Sequence, residues 1–440
     1  GKSIGTQPGS KSVGNSYPVE IIATDRYYNS VSTNPQVLLL PSGAPNIFNE
    51  IIEGQPIQTL QNGSTIYNML FKVADNATGR YWTAIHISSA VASTRSPNVI
   101  VNPQTSPKKI VLLLPGECLA PGSALGKLGS PDEDGMADES VEGCLTGKGN
   151  GVQNFIAGKA IRYKIRLTDD YFNPKSDVDT TIQLTSLDPN DTGDDPKSVV
   201  VSGNSFYPEN PEANNEWWSF KTASGPAPSG GWTLTAQRAS GGCADCSLDN
   251  SAKLTVDSDF NCVTGQCQLL LQLTPQTFTP GVGLGGSAAT KGAGTQFQAT
   301  VRAVDPSYNM LNSGANSAPQ VTFDVLEAAG AAQESDPNDL LPAGFSAGQA
   351  VQDFILYYAT NTARLFVDNV GGYDFASFTT PALTISASDY YRLHVILPGE
   401  TYQPARKDSE TGCGTDFDCG TGGKSGSPNP RTAGVPFNID

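Results

Sequence analysis

Along residues 161–167 apolar and polar side chains alternate. Ile161, Tyr163, Ile165 and Leu167 fall on one side, with Arg162, Lys164 and Arg166 on the other. Phe297, Ala299, Val301 and Ala303 repeat the pattern against Gln298, Thr300 and Arg302. A period of two predicts a strand with one buried face. Each stretch opens on Gly and closes on Asp-x-x-aromatic-Asn: Gly158, Asp169, Phe172 and Asn173 in one, Gly294, Asp305, Tyr308 and Asn309 in another. Gly14, Asp25, Tyr28 and Asn29 make an earlier copy at the same spacing, and Gly434 begins one that the chain end cuts off. Such repetition decides the architecture. Asp and Asn side chains bond nearby backbone amides, and Asn tolerates left-handed conformations, so the closing residues predict a turn. A second strand-like run follows each time, at 36–40, 180–184 and 320–325.

Further strand-like runs are 65–74, 81–88 and 98–102, then 216–221, 232–237 and 252–257, then 351–359, 363–367 and 382–387. A second recurring element is an apolar run ended by Pro, in the stretches beginning at Pro107, Leu269 and Arg392. Together these predict four parts. Residues 1–106 are a sandwich lacking its first strand, because the chain starts in mid-repeat. Residues 107–265 are a sandwich with long disulfide-closed loop insertions, 266–389 a further sandwich, and 390–440 the first strands of a truncated one. The fold class expected is all-β: tandem Ig-like antiparallel β-sandwich domains, joined by short Pro-containing linkers such as 103–109 into a rod. Residues 424–440 resemble 2–18, so the chain reads as a window on a longer array. A variant, in which the last part completes the first sandwich of the next molecule, fits that duplication less well.

Composition narrows the partners. Lys and Arg number 27 against 43 Asp and Glu, a net charge of −16. Nucleic acid and anionic membranes call for a basic surface, so neither is expected, and no apolar run approaches a membrane span. The 46 Gly and 31 Pro fit a turn-rich chain. The eight cysteines fall in local pairs: Cys118 with Cys144, Cys243 with Cys246, Cys262 with Cys267, and Cys413 with Cys419. Paired cysteines suggest disulfides, and with them an extracellular or cell-surface location. The alternative is a zinc ribbon on Cys243, Cys246, Cys262 and Cys267. Against it, residues 251–259 read as a strand, which at ~3.3 Å per residue would hold the pairs roughly 30 Å apart.

Candidate chemistry is sparse. Asn62, Asn76 and Asn190 begin N-glycosylation triplets in predicted turns. The recurring Asp25 with Asn29, Asp169 with Asn173, and Asp305 with Asn309 are calcium candidates or turns that hold their own backbone; a calcium site needs about six oxygens, and only one Asp and one Asn recur. No other cofactor is expected. Gly344, Ser346 and Gly348 fit a nucleophile elbow, but that motif needs a strand leading into a helix. The two histidines, His86 and His394, sit in strand-like runs, so no enzyme is expected. Gly-Lys at Gly1, Gly126 and Gly423 lacks phosphate-loop spacing. The run Asp132, Glu133, Asp134, Asp138, Glu139 and Glu142 reads as cation capture or as a solvated acidic loop. Trp217, Trp218 and Trp232 read as a sugar-stacking platform or as core, and alternation sends the adjacent pair to opposite faces.

The strand, turn and strand of each repeat resemble bacterial Ig-like repeat domains of the invasin and intimin type, which carry a Val-x-Asp-x-x-Gly-Asn-Pro turn. Asn173 and Pro174 match its end, while Tyr28, Phe172 and Tyr308 stand where that family has Gly. The resemblance implies tandem sandwiches in an extracellular or surface polymer. The expected function is a structural, non-enzymatic component of an extracellular filament or cell-surface stalk, with copies of itself or the continuation of the same chain as partners. The alternative is an adhesin or glycan-binding module with a site in 107–265, whose partner is a glycan or cell-surface ligand.

Overall fold

A computed structural model describes residues 8–41, 50–53, 56–88, 91–132, 154–175, 179–191, 195–203, 205–206, 217–225, 230–262, 266–326, 344–356, 359–370, 375–389, 393, 395–402, 424–431, 433 and 435–436. Among them the regular structure is β throughout, apart from one 3₁₀ turn at Ala315–Ser317. The chain divides into two compact units, Gly1–Phe220 with Ser224–Val256, and Lys221–Ala223 with Asp257–Asp440.

The first unit holds two sandwich cores. In the earlier one, the strands Ser16–Ile22, Ser64–Phe71 and Glu50–Glu53 form one sheet, with Ser16–Ile22 at its edge. The opposing sheet runs Ile57–Thr59, Gln36–Pro41, Trp82–His86, Thr94–Arg95. Alternation decides what goes inside: Tyr67, Met69 and Phe71 are fully buried, whereas Ile66 is 59% exposed. Phe71 stacks on Trp82 with ring centroids 5.4 Å apart and meets Tyr17 tilted at 5.3 Å, and Trp82 Nε1 donates to Tyr17 Oη at 2.8 Å. Burying each such side chain contributes about 2 kcal/mol.

The second core lies between the sheet Lys109–Leu113, Lys164–Thr168, Ser205–Phe206 and the sheet Lys197–Val201, Thr180–Ser186, Leu234–Gly241, Asp249–Asn250. The opening strand Lys109–Leu113 pairs antiparallel with Lys164–Thr168, placing Ile110 opposite Leu167 and Leu112 opposite Ile165. Its other face is covered too: Val111 and Leu113 cluster with Leu119 and the ring of Phe172. That double coverage is why 110–114 is a continuous apolar run instead of an alternating one.

The second unit repeats the plan. The opening strand Cys267–Leu273 lies against Gln296–Val304, with Leu269 opposite Ala303 and Leu271 opposite Val301. Gln349–Ile355 flanks them, and Gln320–Leu326, Thr360–Val370, Leu383–Ser386 and Lys291–Gly292 form the facing sheet. Each opening strand ends in the same turn, in which the main chain of Leu114, Leu273 or Leu397 donates to the side chain of Glu117, Gln276 or Glu400, each at 2.9 Å.

Several strand expectations are corrected. Ile161 lies outside its expected strand and forms an isolated bridge with Trp218, the only bridge in the run 216–221 among the described residues. Residues 251–259 are not one strand, for only Val256–Asp257 is regular and Leu254 bridges singly to Trp232. The apolar run 393–397 forms no strand among the described residues; Glu400–Tyr402 pairs with Lys424–Gly426 there.

Candidate functional site

The three Asp-x-x-aromatic-Asn segments fold into one turn. In each, the Asp amide donates to the Asn carbonyl and the aromatic amide donates to the Asp carbonyl, at 2.9 and 3.1 Å for Asp25 and Tyr28, 3.0 and 3.1 Å for Asp169 and Phe172, and 2.9 and 3.0 Å for Asp305 and Tyr308. The Asp carboxylate then collects donors. Asp169 Oδ1 accepts from the amides of Tyr171 and Asn173 at 2.8 and 2.9 Å, and both its oxygens lie 3.1 Å from Asn173 Nδ2. Asp25 and Asp305 accept the equivalent amides at 2.8–2.9 Å. The left-handed residue is the aromatic, not the Asn: φ is 67° at Tyr28, 64° at Phe172 and 63° at Tyr308.

Two of the three turns grip another part of the chain. Asn173 Oδ1 accepts from Ala74 N at 2.7 Å, and its Nδ2 donates to Lys72 O at 2.9 Å. Gln104, in the linker, donates its amide to Asp169 Oδ2 at 3.1 Å. The turn that opens the second sandwich thus holds the strand end of the first. In the second unit Asn309 Oδ1 accepts from Ala223 N at 2.8 Å, Asn309 Nδ2 donates to Lys221 O at 2.9 Å, and Asp259 N donates to Asp305 Oδ2 at 3.0 Å. The gripped segments share a motif that spacing rules did not single out: Phe71-Lys72-x-Ala74 and Phe220-Lys221-x-Ala223. Asp169, Asn173, Asp305 and Asn309 are all buried, whereas Asp25 and Asn29 are exposed.

Aromatic rings complete the lock. Tyr171 packs against the first core, over Gly14, where a Cβ would come within 2.5 Å of its ring. Phe172 turns back onto its own sandwich and covers Gly126, where a Cβ would lie 2.1 Å from the ring. Lys109 Nζ stands 3.9 Å from the same ring centroid. Gly126 thereby takes its place in a hairpin, Glu117–Leu119 with Lys127–Gly129, under an aromatic lid. Tyr28 has no such cover and is 67% exposed.

Environment splits the carboxylates. Hydrogen bonds from the Asn29 side chain and amide hold Asp25 below the usual Asp range. Burial pushes Asp305 above it, despite the same donors. Burial likewise raises Glu117, which sits near Lys127 and Asp249; Lys127 Nζ lies 3.0 Å from Asp249 Oδ2. Among the described residues no three His, Cys, Asp or Glu side chains gather into a metal-holding group.

The remaining candidates fall as follows. Disulfides join Cys243 to Cys246 and Cys262 to Cys267, so the zinc-ribbon ligands are paired as disulfides. Cys118 is disulfide-bonded, while Cys144, Cys413 and Cys419 lie outside the described residues. Asn62 and Asn76 are exposed and Asn190 is half-buried. Ser346 opens a hairpin turn, its amide donating to Gln349 O at 2.8 Å, with Ala347 and Gly348 at φ 50° and 77°. The same turn recurs at 61–64, so the Gly-x-Ser-x-Gly pattern here leads into a strand and not a helix. His86 ends the strand Trp82–His86, its Nδ1 accepting from Ser88 N at 3.1 Å; His394 lies outside the described residues. Trp218 is fully buried in the second core, and Trp232 packs against it. Trp217, on the opposite face, is half-buried with Arg162 5.0 Å from its ring. Of the acidic run, Asp132 is half-buried, and Glu133, Asp134, Asp138, Glu139 and Glu142 lie outside the described residues.

No helix among the described residues is long and apolar enough to cross a membrane. No protein-family model matches the chain, and no curated protein does. Two solved structures show partial likeness. A chimeric titin Z1Z2-Z1Z2 tandem is 16% identical at a TM-score of 0.15, covering 54% of this chain and 98% of its own. A biofilm-associated protein BSP domain is 9% identical at a TM-score of 0.16, covering 87% of this chain and 67% of its own. At these scores neither bears on function; the all-β sandwich class rests on the sheet pairings themselves.

Proposed function

We propose that this chain is a structural, non-enzymatic segment of an extracellular filament or cell-surface stalk made of tandem Ig-like sandwiches. The observation that carries this reading is how the recurring polar residues are used. Asn173 spends its carboxamide on Lys72 and Ala74, and Asp169 spends its carboxylate on its own turn and on Gln104. On this reading Asp169 and Asn173 act as mechanical fasteners between the first two sandwiches. Two-point pairing of a side-chain amide with a backbone C=O and N–H fixes orientation as well as distance, which suits a stalk. The disulfides at Cys243–Cys246 and Cys262–Cys267 support an oxidising, extracellular setting. Electron microscopy of the native secreted material tests the reading. Continuous fibres with an axial repeat matching tandem sandwiches are expected; discrete particles with no repeat would refute it.

A further inference from the structure

Beside the opening strand of the second sandwich lies a polar cluster that neither its core nor the sandwich-to-sandwich grip uses. Three main-chain groups follow one another there, and each holds one ionisable side chain. Leu112 N donates to Asp249 Oδ2 at 2.8 Å, Leu112 O accepts from Lys127 Nζ at 3.1 Å, and Leu114 N donates to Glu117 Oε2 at 2.9 Å. In that order along the chain, the Lys127 amine comes between two carboxyl groups, and it lies 3.0 Å from Asp249 Oδ2. Glu117 is 4% exposed, and Leu112 and Leu114 are fully buried. The Lys127 and Asp249 side chains are largely shielded, at 17% and 23% exposure, whereas the surface pair of Lys108 with Asp245 stands open at 38% and 76%.

Two of these positions vary together along the chain. Lys127 stands opposite Leu119, two residues after Glu117. In the next hairpin of this kind the turn residue is Gln276, and Leu284 stands opposite Phe278. After the turn at Glu400, Lys424 stands opposite Tyr402. In these three hairpins the lysine accompanies the glutamate and is missing where glutamine replaces it. Closing the turn does not need an acid, since Gln276 makes the same bond to Leu273 N at 2.9 Å. The recurring Gly-Lys at 126–127 and 423–424, which has no phosphate-loop spacing, finds its use in this pairing.

We propose that Lys127 and Asp249 condense into an intramolecular amide, with Glu117 carrying the protons, and that this cross-link clamps the hairpin Glu117–Leu119 with Lys127–Gly129 to the strand Asp249–Asn250. One proton passes from the Lys127 ammonium to the Asp249 carboxylate by way of Glu117, leaving an amine beside a carboxylic acid. The amine lone pair attacks Asp249 Cγ. Negative charge develops on Oδ2, where the Leu112 N–H already donates, as in an oxyanion hole. Glu117 takes a proton from the new C–N nitrogen and gives its own to Oδ1; the Cγ–Oδ1 bond breaks and water leaves. One ammonium and one carboxylate become one amide and one water, with no change of oxidation state, and Glu117 ends as it began. Burial raises the Glu117 carboxyl above the usual Glu range, which suits it to giving and retaking a proton. Fixing amine and acid side by side supplies an effective concentration on the order of 10⁵ M or more. The reaction also removes two charges from a shielded place, where an ion pair is costly to keep.

The cross-link goes beyond the filament reading and stands or falls without it. The test is mass spectrometry of the folded chain with its cysteines reduced and alkylated. The wild-type chain should weigh one water less than its sequence, and trypsin should release a branched peptide that joins Lys127 to Asp249 and is uncut after Lys127. Lys127→Arg keeps a cation beside Asp249 and should restore the full mass with circular dichroism unchanged. Glu117→Gln keeps the turn bond, so it should fold yet form the amide roughly a hundredfold more slowly. A folded wild-type chain of full mass, cut after Lys127, would overturn the cross-link. Loss of water that persists in Lys127→Arg would overturn it too. Amide formation at the wild-type rate in Glu117→Gln would overturn the part given to Glu117.

Discussion

Replacing Asn173 by Ala isolates the lock between the first two sandwiches. The change removes a donor to Lys72 O at 2.9 Å, an acceptor from Ala74 N at 2.7 Å, and the side-chain contact with Asp169. Asn173 is 1% exposed, so water does not simply replace the carboxamide. A backbone group left unsatisfied in such a place costs about 1–3 kcal/mol, and two are stranded here, so a loss of roughly 2–4 kcal/mol is expected. The chain carries its own control. Asn29 makes the same bonds to Asp25 but is exposed, and Asn29→Ala in the monomer should cost less than about 1 kcal/mol. Urea unfolding followed by tryptophan fluorescence reads this directly, because Trp82 lies in the first core and Trp218 in the second. If Asn173→Ala and Asn29→Ala shift their transitions equally, the two-point grip contributes nothing and the reasoning fails.

Three further outcomes follow from the same geometry. Tyr28→Gly should stabilise the monomer by up to about 1 kcal/mol, since it removes a positive φ from an exposed aromatic, whereas Phe172→Gly should destabilise it by about 1–3 kcal/mol by stripping the ring from Gly126 and Lys109; thermal denaturation distinguishes the signs. Carboxyl NMR titration should place Asp305 above the ordinary Asp range and Asp25 below it. The sign of the linkage differs accordingly: the Asp25 contribution is present above its unfolded value and lost as pH falls through its lowered one, while the Asp305 contribution is full below its unfolded value and lost as pH rises through its raised one; the reverse order of midpoints would contradict the burial argument. In a Lys127→Arg background, where no side-chain amide forms, Glu117→Gln should change stability by less than about 1 kcal/mol, because Gln276 makes the equivalent bond to Leu273 N, while Glu117→Ala should cost about 1–3 kcal/mol in chemical denaturation.

How far the sequence could be read depends on whether a feature is periodic or pairwise. The alternation at 296–304 and the spacing from Gly to Asp are local, and they placed the strand and the turn. Which residue of the turn is left-handed is not legible locally: Asn tolerates that conformation readily, yet Tyr28, Phe172 and Tyr308 hold it. At Phe172, packing over Gly126 offsets a cost of about 1–3 kcal/mol that propensity alone would forbid. The gripped partners escaped notice because Lys72 and Ala74 contribute only main-chain atoms, and main-chain atoms leave no residue signature. Their shared Phe-Lys-x-Ala was visible at 71–74 and 220–223, but its meaning lies 99 residues away in sequence. The run 251–259 looked like a strand by its apolar residues, yet Leu254 and Val256 find partners on different segments, Trp232 and Phe155–Ile156.

The Asp25 turn has a consequence for how sandwiches come together. Its hydrogen bonds and backbone angle match those of Asp169 and Asp305 within a few tenths of an ångström and a few degrees, although among the described residues no strand end is gripped there. The fastener therefore takes its working shape before anything is fastened. Docking then sacrifices little conformational entropy, because the side chains that must align are already aligned. Joining becomes a rigid-body step whose rate is set by encounter and not by rearrangement. Each sandwich can thus mature by itself and be coupled afterwards, without waiting on its neighbour to fold.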